Sequence, residues 1–329
     1  MSNLLLRLLA APFIAAAVTA ALLAYMLKRG GAALPLDHPN ERSLHLAPVP
    51  RSGGIAVLLG CVCGWIALVP DLPATLWIGL AILFGVSLLD DLRNLGVAWR
   101  LASHLAAAAL VAVTALHPWH PLWLLLAVFA IAWMTNLYNF MDGSDGLAGG
   151  MALIGFGCYG VAAWLGGDGG FAMVNWVICA AALAFLAFNF HPARIFLGDS
   201  GSIPLGYLAG ALGLLGWQRQ LWPLWFPVAV FSPFIFDASI TLAKRLLRRE
   251  KVWEAHRDHY YQRLVRLGWG HRKTALAEYA LMLACGAAAL GARALPVAAQ
   301  AGTVLALLLA YALLAAWIEY AWNQGGSGP

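Results

Sequence analysis

PLWLLLAVFAIAWMTNLYNFMDGSDGLAGGMALIGFGCYGVAAWL, residues 121–165, decides what kind of chain this is. Two apolar runs, 121–141 and 147–165, each approach the length that crosses about 30 Å of hydrocarbon as a helix. Only the polar turn 142–146 separates them. The same pattern recurs on both sides, at roughly 4–27, 54–70, 73–89, 100–116, 171–189, 202–217, 222–243, 274–292 and 296–317. Composition agrees: 62% of the 329 residues are hydrophobic and 11% charged, and mean hydropathy is +0.77, which excludes a soluble domain. The chain reads as all-α, a polytopic integral membrane protein of about eleven transmembrane helices. The first run is too long for a signal-peptide core and lacks a small-residue cleavage site, so it reads as a retained helix. Residues 1–318 read as one transmembrane domain, and 319–329 as a polar tail expected to be disordered.

Basic residues orient these spans. With the N-terminus outside and the C-terminus cytoplasmic, the interior loops are 28–53, 90–100, 142–146, 190–201 and 244–273, the last being the longest. They hold 17 of the 20 Lys and Arg residues, leaving Arg7, Arg219 and Arg293 elsewhere. That asymmetry is what the positive-inside rule expects. It also accounts for the net charge of +5, so nucleic acid is not needed as a partner. The five cysteines all fall within spans as small buried groups, with no disulfide or zinc spacing.

Six aspartates then fall at the cytoplasmic ends of spans: Asp90, Asp91, Asp142, Asp145, Asp199 and Asp237. Ionisable groups at membrane depth are costly and usually functional. Acids that converge repel one another unless a cation neutralises them, which points to a hard divalent ion, Mg²⁺ first with Mn²⁺ as a substitute. Asn136, Asn139 and Asp142 are spaced three apart, so they line one side of a helix end, and Gly143 and Gly146 open the backbone beyond it. A polar turn with capping aspartates is the plainer reading, but two Asn inside an apolar helix weaken it.

A second constellation runs from Asn189 through Arg194 and Phe196 to Gly198-Asp199-Ser200-Gly201-Ser202. It precedes a span, and a helix N-terminus suits phosphate as well as a capping serine. Asp199, flanked by small residues, is the leading metal-ligand candidate. Asp90 and Asp91 are adjacent, so they cannot share one helix face; one can enter a cavity while the other pairs with Arg93 or Arg100. In the longest loop, His256 and His259 read as neighbours on a helix, with Arg263 a turn further on, donors suited to phosphate oxygens. A basic amphipathic helix on anionic lipid explains the arginines of that loop but not the paired histidines. Arg42, His45 and Arg51 add donors from the first loop. Asp237 reads either as an ion-pair partner or as a functional acid.

Four patterns in this order resemble the polyprenyl-phosphate N-acetylhexosamine-1-phosphate transferase superfamily, of glycosyltransferase family 4 type. They are Asp90-Asp91, NxxNxxDGxDGLA at 136–148, FNxxPxxxFxGDxGS at 188–202, and the HxxH loop. The last departs from the three consecutive histidines of the lipid I branch, which points away from a pentapeptide-sugar. RSLHxxPVPRxGG and EAHRxHxYQRL look most like the O-antigen-initiating branch, whose members use UDP-GlcNAc, UDP-FucNAc or UDP-QuiNAc.

The resemblance implies transfer of an N-acetylaminosugar-1-phosphate from a UDP-sugar to undecaprenyl phosphate at the cytoplasmic face of a bacterial inner membrane, with a homodimer plausible. It implies catalytic roles for Asp90 and Asp91 beside the acceptor phosphate, and for Asp142 and Asp145 on the nucleotide-sugar side. Mg²⁺ would sit on Asp199 with Asp91. Asn136, Asn139, Asn189, Phe196, Arg194, His256, His259, Arg51, Arg42 and His45 would bind nucleotide or phosphate. Direct displacement and a covalent aspartyl intermediate both stay open. A transporter would place polar groups on both sides of the membrane, and a CDP-alcohol phosphotransferase would need a different continuation after Asp142-Gly143; neither fits as well.

Overall fold

Apolar runs long enough to bury their own backbone polar groups must become helices in a membrane, and the computed structural model is built from them. It describes residues 2–29, 36–37, 44, 48–68, 70–93, 95–118, 120–252 and 256–325. In chain order come α1 (Ser2–Arg29), a two-residue ribbon β1 (Leu36–Asp37) and β2 (Val49–Pro50), then α2 (Gly53–Leu68), α3 (Ala74–Arg93), α4 (Val97–Leu116) and α5 (Pro121–Phe140). There follow α6 (Leu147–Leu165), α7 (Gly169–Asn189), α8 (Asp199–Gln218), α9 (Trp225–Val230), α10 (Ser232–Leu247) and α11 (Tyr260–Leu264). A π-helical turn (Val265–Trp269) leads into α12 (Gly270–Ala292), and α13 (Val297–Gly325) closes the chain. β1 and β2 are antiparallel, with Leu36 opposite Pro50 and Asp37 opposite Val49.

Among the described residues eight helical stretches are long and apolar enough to cross a membrane: α1, α3 to α7, the run from α11 through α12, and α13. The protein is an all-α polytopic membrane protein, as the hydropathy reading expects. Two expectations change. The span at 222–243 is two helices broken at Phe231, because Pro233 in the first turn of α10 has no N–H to continue a ladder. Ser232 Oγ donates to the Ala229 carbonyl (2.6 Å) at that break. The last span does not stop near 317 but runs on to Gly325, so the first part of the expected tail is helical.

α8 is the axis of the bundle. It packs against α2, α3, α4, α5, α6 and α9, and it is buried from Ser200 to Ala209 and again from Ala211 to Gly216. A helix enclosed on every side must be small or apolar all round, and the glycines of α8 let neighbours approach closely. A Cβ on Gly54 at the start of α2 would overlap the backbone of Gly201 in the first turn of α8. Two helix N-termini therefore meet backbone to backbone, and the loops that precede them are forced together.

Candidate active site

Backbone pairing builds the floor of the site. The Phe196 N–H donates to the Pro50 carbonyl (2.7 Å), Gly53 N–H to Phe196 O (2.9 Å) and Gly54 N–H to Leu197 O (2.8 Å). Gly198 then takes φ +73°, where a Cβ would strike the Arg51 carbonyl, and α8 begins at Asp199. Asn189, at the end of α7, ties a third segment in: its Oδ1 accepts from Gly146 N–H (2.9 Å) and its Nδ2 donates to Ile195 O (2.9 Å). Expected as a nucleotide ligand, Asn189 is buried and spent on this backbone brace.

Four carboxylates gather above that floor. Asp90 accepts from Arg100 Nη1 (3.0 Å) and from the Leu95 N–H, and the same Arg100 nitrogen lies 3.4 Å from Asp199 Oδ2. Asn139 Nδ2 donates to Asp199 Oδ1 (2.8 Å) and to Ser202 Oγ (2.9 Å). Asp91 accepts from Ser200 N–H (3.3 Å) at the start of α8, and Arg51 Nε lies 3.8 Å from its Oδ1. Arg51 Nη2 also donates to the Asp91 carbonyl (2.9 Å). Asp142, just past α5, feels Asp199, Asp37 and Asp91; burial first and that repulsion next push its carboxyl well above the usual range, against a donated Gly198 N–H. Asp90 and Asp91 thus divide as their adjacency demands, one to Arg100 and the other to Ser200 and Arg51.

These residues suit a divalent cation. Four carboxylates face two guanidinium groups, so ionised together they leave two negative charges uncompensated. Among the described residues no three acidic, histidine or cysteine side chains are grouped to enclose a metal by themselves. Mg²⁺ does not need such a cage, since it takes one or two carboxylates and completes its shell with water and substrate phosphates.

Asp145 belongs to a neighbouring cluster rather than to these four. Its Oδ2 bonds His191 Nδ1 (2.6 Å) and accepts from the Ala193 N–H (3.1 Å). His271 Nδ1 lies 3.8 Å from its Oδ1 and 2.9 Å from Ser144 Oγ. The two imidazoles stack 5.5 Å apart and nearly parallel. Phe196 is half-buried on the floor, its backbone paired with Pro50 and Gly53.

The HxxH element is not helical. His256 and His259 lie in the segment leading into α11, with ring centroids 4.9 Å apart. Burial, then His259 and Arg245, push His256 down to about 4, so it is neutral at pH 7 and offers hydrogen bonds rather than charge. His259 is buried, with Nδ1 3.2 Å from Asp237 Oδ1.

Other expected ligands lie elsewhere. Asn136 donates to Ala132 O within its own helix (2.9 Å) and faces His104 of α4. Arg194 folds back to the Ala187 carbonyl (2.9 Å) and over the Phe188 ring. Arg42 and His45 fall outside the described residues. Sequence reasoning missed His271, which carries no motif signal. It also missed His104, whose position one turn beyond Arg100 inside a span was a signal.

A helical membrane protein that collects aspartates, arginines and histidines at the ends of its spans is equipped to bind phosphates. Comparison with known proteins gives that class a family. Residues 73–216 match the model of glycosyl transferase family 4. The chain is 31% identical over 262 residues to the probable undecaprenyl-phosphate N-acetylglucosaminyl 1-phosphate transferase of Bacillus subtilis (strain 168), covering 74% of this chain and 73% of that protein. It is 29% identical over 291 residues to the decaprenyl-phosphate N-acetylglucosaminephosphotransferase of Mycobacterium tuberculosis (strain ATCC 25618 / H37Rv), covering 74% and 72%. It is 31% identical over 268 residues to the phospho-N-acetylmuramoyl-pentapeptide-transferase of Geobacillus kaustophilus (strain HTA426), covering 71% and 80%. The chain belongs to glycosyl transferase family 4, within the polyprenyl-phosphate N-acetylhexosamine-1-phosphate transferase superfamily.

Proposed function

We propose that the protein transfers an N-acetylaminosugar-1-phosphate from a UDP-sugar to undecaprenyl phosphate, releasing UMP and starting an O-antigen or related envelope glycan. The observation that carries this reading is the convergence of Asp90, Asp91, Asp142 and Asp199 with Arg51 and Arg100 at the N-terminus of α8. Family membership supplies the reaction class. Two of the relatives above carry N-acetylglucosamine in their names, and with the HxxH loop this favours an aminosugar without a peptide. UDP-GlcNAc is the first candidate, with UDP-FucNAc and UDP-QuiNAc next.

In the transfer, an oxygen of the lipid phosphate attacks the phosphorus attached to the sugar. The bond from that phosphorus to the bridging oxygen breaks, and the electron pair leaves with UMP. Such reactions depend on positioning and charge neutralisation more than on covalent help from the protein. Asp90 or Asp91 orients the acceptor phosphate, while Arg51 and Arg100, already placed on the acids, turn to incoming phosphate oxygens. Asn139 fixes the Asp199 carboxylate, and the Asp145–His191–His271 group faces the nucleotide with Phe196. Mg²⁺ held by Asp199 and Asp91 would supply neutralisation of the diphosphate and of the departing UMP.

A groove supports a lipid substrate. A cavity of about 410 Å³ runs along α5 between α8 and α9, walled by apolar and aromatic side chains including Trp123, Ile131, Met134, Leu137, Trp217 and Phe231. From Trp123 to Leu137, at 1.5 Å per residue, it follows α5 for about 21 Å and ends one turn short of the aspartates. A prenyl chain fits that shape and chemistry. The site then opens to the cytoplasm of a bacterial inner membrane, with the N-terminus outside. Purified protein in detergent with Mg²⁺, undecaprenyl phosphate and a panel of UDP-sugars should release UMP with at least one of them. Silence across the whole panel from folded protein refutes the reading.

A further inference from the structure

Asp237 has no part in the chemistry above, yet it is a buried acid in the middle of α10. Four donors converge on its carboxylate. Thr241 Oγ1 (3.1 Å), His259 Nδ1 (3.2 Å) and Tyr260 N–H (2.8 Å) reach Oδ1, and Tyr261 N–H (2.9 Å) reaches Oδ2. Three of the four come from the chain as it enters α11. The first amides of a helix have no intrahelical partner and are usually met by a local Ser, Thr, Asp or Asn. α11 has His259 at its cap position, and Asp237, from another helix, meets its first two amides instead.

Asp237 pairs with His259 rather than with the lysine of its own helix. Lys244, the nearest lysine along α10, bonds Tyr260 Oη and Glu319 (both 2.6 Å). The turn that Asp237 holds reaches the site directly. The His259 ring stacks with Phe140, the last residue of α5, at 6.4 Å and with Tyr261 at 5.9 Å. Tyr261 Oη donates to Phe140 O (3.3 Å), and a Cβ on Gly143 would collide with that hydroxyl. Asp142 lies between Phe140 and Gly143 in the chain, so the turn braces the loop that carries it.

We propose that Asp237 is a positioning residue for the transfer reaction: by holding His259 and the first turn of α11, it fixes where the histidine loop and the Asp142 loop meet the substrate phosphates. The inference rests on the proposed transferase reading, with the partly exposed His256 as the phosphate-facing group of this loop and the buried His259 as its anchor. Asp237→Asn keeps the volume and one acceptor oxygen but turns an amide group toward a backbone N–H. Losing a charge-assisted set of this kind should lower kcat/KM for the UDP-sugar roughly 30- to 100-fold. KM for the lipid phosphate should stay within about twofold, since the lipid side is held by other residues. His259→Ala should show a comparable loss, and the double variant should be no worse than the poorer single one. Thr241→Val removes only the donor internal to α10 and should stay near wild type.

Hydrogen exchange needs no substrate. The Tyr260 and Tyr261 amides should exchange faster in Asp237→Asn while α12 is unchanged. Normal kcat/KM in Asp237→Asn, an unaffected His259→Ala, or losses that multiply in the double variant would overturn the positioning role. A wild-type protein that releases no UMP refutes the transferase reading instead. In that case the exchange experiment still decides: unchanged amides overturn the docking by Asp237, and faster ones support it.

Discussion

Arg100 gives the sharpest test of the charge balance at the site. Its Nη1 is 3.0 Å from Asp90 and 3.4 Å from Asp199, so one cation serves two acids. At an effective dielectric near 20, a unit pair about 4 Å apart is worth about 4 kcal/mol. The guanidinium is about a third exposed (34%), so screening reduces that by about half. Arg100→Gln should therefore cost about 2 kcal/mol of transition-state stabilisation, a roughly 30-fold fall in kcat/KM. The same change removes a competitor for the negative charge of Asp90 and Asp199. A divalent ion should then bind more tightly, and the Mg²⁺ concentration giving half-maximal rate should fall several-fold. UMP release titrated with Mg²⁺ at fixed substrates reads both numbers from one series. A variant that loses activity while needing more Mg²⁺ would refute the idea that arginine and metal neutralise the same acids, and wild-type turnover would refute the role altogether.

Asp199→Ala should abolish Mg²⁺-dependent UMP release while expression and detergent extraction stay normal, and surviving activity would move the metal elsewhere. Asn189→Ala removes the brace between Gly146 and Ile195. Leaving a buried donor and acceptor unmet should cost about 2 kcal/mol and lower the melting temperature by several degrees in a thermal-shift assay. His256 should make the protein acid-sensitive. Its folded pKa, about 4, lies below the value of 6.5 for a free imidazole, so the unfolded chain takes up the proton first as pH falls. Stability should decline from about pH 6.5 toward pH 4, by about 1–2 kcal/mol after screening, and His256→Gln should flatten that decline.

The all-helical membrane class and the gathering of aspartates at one end of the bundle were legible because both depend on local properties. The count of spans was not: about eleven were expected, and eight stretches among the described residues are long and apolar enough to cross. Hydropathy over about twenty residues marks a span, and loop charge marks a side. The break at Phe231 was missed, because the continuous apolar run from 222 to 243 masks the signal of Ser232-Pro233. Partner choice was not legible. Asp145 and His191, or Asp237 and His259, sit far apart in sequence, and no period links them. Asn189 shows the same limit from the other side: an amide beside a motif reads as a ligand, whereas its two hydrogen bonds are taken by backbone. The end of α13 was misjudged because polar residues past 317 look like tail. Glu319 pairs with Lys244 and Arg263, and Trp322 lies under Arg263 and Arg266, so that polar turn has a partner surface.

The enclosure of α8 bears on how the protein tolerates different membranes. Bilayers vary in thickness, and lipid-facing helices answer by tilting or by deforming the lipid around them. α1 and α13 carry much exposed apolar surface and will feel such changes directly, with Phe13, Leu305 and Leu309 all more than 60% exposed. α8 is sheathed by other helices over nearly its whole length, so the helix that begins with Asp199 has almost no lipid to answer to. The outer bundle can adjust to its bilayer while the reaction centre keeps its dimensions, much as a gimbal isolates an instrument from its mount.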